Sequence, residues 1–194
     1  MIFEWLAIPS VLILVGTSLT ILVDLKLRWS LFALGVQFIA AFWLLGLNLP
    51  TGLAATKLVV GLIAVALILA SLPPEESEPE NPESFRFAFR ILGAGLVWLL
   101  VFSLAPFLEQ ILSARIEIIW GGLILVGIGI LQLGMTSHLP RVILGLLTLL
   151  SGFHILYSSI EKSSLVSGLL ALINLSLALI CVYWAASHSQ EISQ

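Results

Sequence analysis

Six or seven long apolar stretches, separated by short polar breaks, constrain the fold of this chain more than any other feature. A helix of about 20 apolar residues crosses the roughly 30 Å of hydrocarbon in a bilayer. Hydrophobic residues make up 60% of the 194 residues and charged residues only 10%, whereas a soluble domain is about 25% charged. Since nothing in the chain could shield so much apolar surface from water, we predict an all-α, polytopic bundle of about seven transmembrane helices.

The polar breaks divide the chain into a front part of three helices, 1–72, and a back part of four, 86–187. Between them lies loop 73–85, which is rich in proline and glutamate and should form a solvated linker. A short polar tail, 188–194, ends the chain. The predicted helices run over about 5–23, 29–47, 53–72, 87–107, 116–135, 140–157 and 165–185.

The basic residues between the helices predict the orientation, because cytoplasmic connections carry an excess of lysine and arginine. The connections after the first, third and fifth helices hold five such residues: Lys26, Arg28, Arg86, Arg90 and Arg141. The opposite side holds at most three: Lys57, Arg115 and Lys162. We therefore predict a cell (inner) membrane protein with its N-terminus outside and its acidic loop and C-terminus inside.

Several classes of function are disfavoured by residues that the chain lacks. A single cysteine, Cys181, excludes an intramolecular disulfide and a multi-cysteine metal site, and its place in the last apolar stretch predicts a small packed residue. The last helix has no lysine for a retinal Schiff base, and no nucleophile–base pair, phosphate-binding loop or metal cluster is visible. We expect no cofactor, no catalysis by the chain alone and no nucleic-acid partner.

Lys57 lies about one turn into the third predicted helix. One interpretation is a lysine that snorkels to the membrane surface, and this is the reading that the position favours. The other is a proton-path residue, because a desolvated lysine can exchange its proton near neutral pH.

His154 lies well inside the sixth predicted helix, where it could either bond a neighbouring helix or relay protons. Ser151 and Asn174 belong to the same small set of polar residues at membrane depth, and the Asn174 amide needs a partner. No Asp or Glu lies in the middle of any predicted helix, which counts against a self-contained proton or cation pump. Glycines concentrate in the back part and predict close helix packing or a docking face: Gly121, Gly122, Gly127, Gly129, Gly134, Gly145 and Gly152.

The segment Ile119–Tyr157 resembles the two-helix core of NADH dehydrogenase chain 4L, of the C subunit of multisubunit cation/proton antiporters and of component E of hydrogenase-4. In these families a glycine-rich helix makes a short basic turn into a helix written R-x-x-x-G-x-x-x-x-x-N-G. Here the corresponding residues are Arg141, Gly145, Ser151 and Gly152. The component E version is the most similar, since it places a Thr-Lys pair early in its third helix, where Thr56 and Lys57 stand, and a histidine where His154 stands.

The resemblance implies a non-catalytic membrane subunit that contacts lipid and antiporter-like subunits and supports proton or cation translocation. Lys57, Ser151, His154 and Asn174 would then line a polar path. The chain departs from the families at their membrane glutamates, because Leu147 and Leu150 occupy those positions. A membrane scaffold or assembly protein and a small independent carrier are the alternatives.

Overall fold

The computed structural model describes residues 6–23, 26–72, 84–161 and 163–192. Within these ranges the chain is all-helical, as predicted, and no strand is present. We number the helices in chain order: α1 Ala7–Val23, α2 Leu27–Asn48, α3 Thr51–Ser71, α4 Ser84–Leu112, α5 Ile116–Met135, α6 Leu139–Tyr157 and α7 Ser164–Ile192.

Six of the helices described, α2 to α7, are long and apolar enough to cross a membrane, whereas α1 has 17 residues. The chain is therefore an integral membrane protein by the length and composition of its helices. The predicted loop 73–85 falls almost wholly outside the described residues, together with the glutamates it contains, and so does Lys162.

The predicted ends of two helices are wrong. Helix α4 begins at Ser84 and continues through Pro106 to Leu112, well past the predicted end at 107. It stops before Ser113, whose φ of 47° lies in the left-handed region that side chains rarely adopt. Helix α7 continues through the predicted start of the tail to Ile192.

Two hydrogen bonds fix which helix ends lie together. The Asn48 amide donates to the Ser159 hydroxyl at 3.0 Å, which joins the end of α2 to the connection after α6. Arg90 Nη1 donates to the Leu22 carbonyl at 3.2 Å, which joins the start of α4 to the end of α1. We call the side of the connections after α2, α4 and α6 the even end, and the side of those after α1, α3 and α5 the odd end.

The front and back parts of the chain pack into one bundle. Each front helix lies against a back helix: α1 against α5, α2 against α6, and α3 against α7. The largest apolar core accordingly draws on α1, α2, α3, α6 and α7. This arrangement brings residues that are far apart in sequence to the same depth inside the bundle.

Glycines let α5 and α6 approach closely. A Cβ on Gly152 would lie 2.6 Å from the Gly122 carbonyl oxygen and 2.7 Å from the Val126 amide nitrogen. A Cβ on Gly129 would lie 2.8 Å from the Leu149 amide nitrogen. Close backbone approach of this kind drives helix association where lipid removes the hydrophobic contribution. The expectation of close packing in the back part is confirmed at these positions.

Candidate functional site

Lys57 lies on the inner face of α3. The buried residues of this helix recur every three or four positions, which places them on one side: Ala54, Lys57, Gly61, Ala64, Val65 and Ile68. Only 2% of the Lys57 surface is exposed, and its Nζ has no hydrogen-bond partner among the described residues. The expectation that Lys57 snorkels to the membrane surface is therefore wrong.

The Lys57 amine lies beside the ring of Phe38, and this ring packs against Gly61 of α3. Nζ lies 5.2 Å from the centroid of the Phe38 ring, a distance suited to a cation–π contact. The ring packs on Gly61, where any Cβ would be 2.5 Å from the ring carbon Cγ. Gly61 is one helical turn farther from the even end than Lys57, so the Phe38 ring packs on α3 at a level deeper than the Lys57 backbone.

His154 supplies the second titratable side chain at this level. It is buried near the even end of α6, and its Nε2 lies 3.3 Å from the Ser167 hydroxyl of α7. Its Nδ1 has no partner in the part of the chain that the structure describes. Lys57 and His154 are both buried in the half of the bundle nearer the even end. Two of the four residues proposed from the sequence, on helices from different parts of the chain, therefore lie inside the same half of the bundle.

Ser151 and Asn174 are also buried, but they are less directly connected to this pair. The Ser151 hydroxyl donates to the Leu147 carbonyl of its own helix at 2.8 Å, one turn deeper than His154. Asn174 lies on the inner face of α7, two turns beyond Ser167, and is fully buried. No hydrogen bond within the described residues joins the Asn174 amide to the other three side chains.

Further buried polar side chains lie at about the same depth as Asn174. Gln37 lies 11 residues before the end of α2, Thr148 lies nine before the end of α6, and Asn174 lies ten after the start of α7. At 1.5 Å per residue these positions are roughly 13–17 Å from the even end. Among the described residues neither the amides of Gln37 and Asn174 nor the Thr148 hydroxyl has a partner. We define the polar seam as Gln37, Lys57, Thr148, Ser151, His154, Ser167 and Asn174.

The polar seam stops near the middle of the bundle. Beyond it, toward the odd end, the same helices meet in an apolar core that includes Leu34, Ile68, Leu147 and Cys181. Leu147, which the resemblance described above sets against the chain 4L glutamate, is fully buried in this core. Cys181 is a small packed residue, as expected. The residues of the polar seam therefore lie between the even end and mid-depth.

Three of the four residues of the basic-turn motif pack α5 against α6, whereas the fourth, Ser151, belongs to the polar seam. Gly145 faces Leu133 of α5, whose Cδ2 would lie 3.2 Å from an added Cβ, and Gly152 lies against the backbone of α5. Arg141 lies at the odd end, where its carbonyl accepts a 3.4 Å hydrogen bond from Gln132 Nε2. These contacts hold α5 and α6 together and do not place the three residues in the polar seam.

Ser167 contacts His154 and Phe38 contacts Lys57, and neither contact was predicted from the sequence. A signal for Ser167 was present in α7, because Ser167, Asn174, Ala178 and Cys181 recur at helical spacing among larger apolar residues. Phe38 carried no comparable signal, since an aromatic residue in an apolar helix usually packs against its neighbours or faces lipid. Comparison with protein-family models, curated proteins and solved structures finds no match to this chain.

Proposed function

We propose that the chain is a non-catalytic integral membrane subunit that supports proton translocation by a complex related to complex I, group 4 hydrogenases or multisubunit antiporters. In this proposal Lys57 and His154 exchange protons along the polar seam. The observation that carries it is the burial of these two ionisable side chains, from α3 and α6, inside the same half of the bundle. Ionisable residues within membrane helices are costly and usually serve ion or proton pathways.

The chemistry of the seam suits protons better than larger ions. A lysine amine and a histidine imidazole both take up and release protons, and the Nδ1 of His154 remains available when Nε2 bonds Ser167. The buried amides and hydroxyl at mid-depth would bind internal water, since an unsatisfied polar group costs about 1–3 kcal/mol. Water molecules held there would extend the path inward from the Lys57–His154 pair.

The missing acids support a subunit that depends on partners. Among the residues whose side chains the structure describes, the carboxylates are Glu109, Glu117 and Glu161, and all three lie at the even end. Glu117 is paired with Arg115 at 3.6 Å. Since the seam contains no described carboxylate and ends at an apolar core, a complete path needs another subunit or a rearrangement of the bundle.

A small independent carrier is the second candidate, and the one-sided seam favours it. A polar path that reaches mid-depth from one end is what one state of an alternating-access carrier would present. The two candidates differ in what the purified chain does by itself. Proteoliposomes that contain only this chain should transport protons or a solute if it is a carrier, and should be inactive if it is a dependent subunit.

Purification from native membranes tests the proposed complex directly. A tagged chain extracted in mild detergent should elute as a large assembly that contains antiporter-like membrane subunits in fixed ratio. Deleting the gene should lower proton uptake by energised membrane vesicles. Elution of the chain as a single 21.0 kDa component, with unchanged proton uptake in the deletion strain, would contradict the proposal.

A further inference from the structure

A surface cavity at the odd end combines positive charge with hydroxyl groups. Its volume is about 400 Å³, and it lies between the start of α4 and the turn that joins α5 to α6. The side chains that can bind an anion come from both sides of the cavity, namely Arg90, Thr136, Ser137, His138 and Arg141. Guanidinium and hydroxyl groups are donors that bind phosphate, so the chemistry of these side chains fits a phosphate group.

One of the two arginines is held in place by the fold. Arg90 Nη1 donates to the Leu22 carbonyl, which anchors the guanidinium between α1 and α4. A guanidinium has five N–H donors, so this bond leaves others to face a ligand. Arg141 lies in the first turn of α6 on the opposite wall of the cavity. The guanidinium groups of Arg90 and Arg141 therefore line one cavity from different helices, and the five N–H donors of each let it serve more than one partner.

The depth of the cavity matches that of a lipid headgroup. Its lining residues belong to the beginning of α4, the last turn of α5, the connecting turn and the first turn of α6. These are the ends of membrane-crossing helices, where phosphates of the bilayer lie. Basic pockets between transmembrane helices on the cytoplasmic side recognise anionic lipid headgroups, and the basic residues predict that the odd end is cytoplasmic.

An apolar stripe leads from the cavity into the membrane along α4. Phe89 lines the cavity, and Leu92, Leu96 and Leu99 follow it at spacings of three and four residues, which puts them on one helix face. All four are between 55% and 72% exposed. Ten residues of helix cover about 15 Å, so the stripe offers an acyl chain a path that continues inward from the headgroup.

We propose that this cavity binds the phosphate of an anionic phospholipid, with Arg90 and Arg141 on the headgroup and the α4 stripe along an acyl chain. The proposal is independent of proton transfer in the seam, because the cavity lies at the opposite end of the bundle from Lys57 and His154. We expect the site to bind a lipid in preference to free phosphate, because Phe89 belongs both to the cavity lining and to the apolar stripe of α4.

Native mass spectrometry of the full chain in a neutral detergent tests the proposal. Phosphatidylglycerol and phosphatidylcholine with identical acyl chains are titrated separately, and phosphatidylglycerol should bind at least about fivefold more tightly, as expected for one or more basic contacts. Arg141→Gln should weaken phosphatidylglycerol binding by about fivefold, whereas Arg141→Lys should largely preserve the preference.

Arg28→Gln is the matched control, because Arg28 lies at the same end of the bundle but outside the cavity lining. It should leave the lipid preference unchanged. Equal binding of the two lipids by the wild-type chain would overturn the proposal, as would an equal loss in Arg28→Gln and Arg141→Gln. Displacement of phosphatidylglycerol by millimolar inorganic phosphate would overturn the choice of a lipid.

Discussion

Replacing Lys57 by methionine should reduce the proton uptake that depends on this chain by at least about tenfold, since a positioned proton-transfer group typically contributes about 10²–10⁴-fold to a rate. Methionine keeps a long apolar stem beside Phe38 and removes only the group that carries the proton. The amine is buried, and no hydrogen bond within the described residues fixes it. Its loss should therefore leave the packing of α3 nearly unchanged.

The measurement is acidification of energised membrane vesicles, followed with a pH-sensitive dye. The chain-dependent part is the difference between vesicles from wild-type cells and from cells that lack the gene. Lys26→Met is the matched control, because it removes the same charge at an exposed position at the start of α2. Wild-type uptake in Lys57→Met, with the complex present at normal levels, would remove Lys57 from the proton path.

Replacing Gly152 by alanine should destabilise the protein by roughly 1–3 kcal/mol, the usual cost of overpacking a tight interior. The sign of this change in stability is informative, because replacing glycine by alanine within a helix otherwise stabilises the protein by about 1 kcal/mol. At Gly152 the new methyl group would meet the carbonyl oxygen of Gly122 and the amide nitrogen of Val126. A side chain could avoid the new methyl group by changing its rotamer, but these backbone atoms cannot. Helices α5 and α6 would therefore have to separate.

Thermal unfolding of the purified protein in detergent measures this effect. Since 1 kcal/mol corresponds to about 2–4 °C for a chain of this size, Gly152→Ala should lower the Tm by several degrees. Gly95→Ala is the control, because an added Cβ there has no neighbour within 4 Å. It should leave the Tm unchanged or raise it slightly. Equal melting temperatures for the two variants would show that α5 and α6 do not rely on this contact.

The number of helices and most of their positions could be predicted from the sequence, because an apolar stretch of membrane-spanning length has few other uses. The ends of α4 were harder to predict. Pro106 normally interrupts a helix, yet α4 accommodates it near its even end and continues to Leu112. In a membrane helix neighbouring groups and small local adjustments can compensate for the missing N–H.

The inward direction of Lys57 could have been predicted from small residues. A membrane helix is apolar on every side, so the contrast between polar and apolar faces that orients a soluble helix is absent. The packing face is instead marked by residues that permit close approach, and Ala54, Gly61 and Ala64 stand at −3, +4 and +7 from Lys57. Read in this way, α3 places Lys57 among its contacts with other helices.

The placement of Lys57 and His154 inside the same half of one bundle could not be predicted from the sequence. The two residues are 97 positions apart, and their placement depends on α2 lying against α6 and α3 lying against α7. These neighbours are selected by glycine contacts and side-chain shapes distributed over the whole bundle. The odd-end cavity was missed for the same reason, since Arg90 and Arg141 approach each other only after the helices assemble.

The burial of Leu147 limits what the family resemblance implies about proton transfer in this chain. A buried leucine in the apolar core cannot replace a membrane glutamate as a proton carrier. If the chain serves a complex of this type, the seam near the even end is the part that handles protons. The remainder of the path would then lie on a partner, which agrees with a role as a dependent subunit.

A double-mutant cycle of chain-dependent proton uptake tests the central claim most directly. Lys57→Met, His154→Gln and the double variant are compared with the wild type in the same membrane vesicles. If both side chains serve one path, each single variant blocks it, and the double variant should transport about as little as the more impaired single variant. Independent effects that multiply in the double variant, or wild-type uptake in all three, would contradict a shared path through Lys57 and His154.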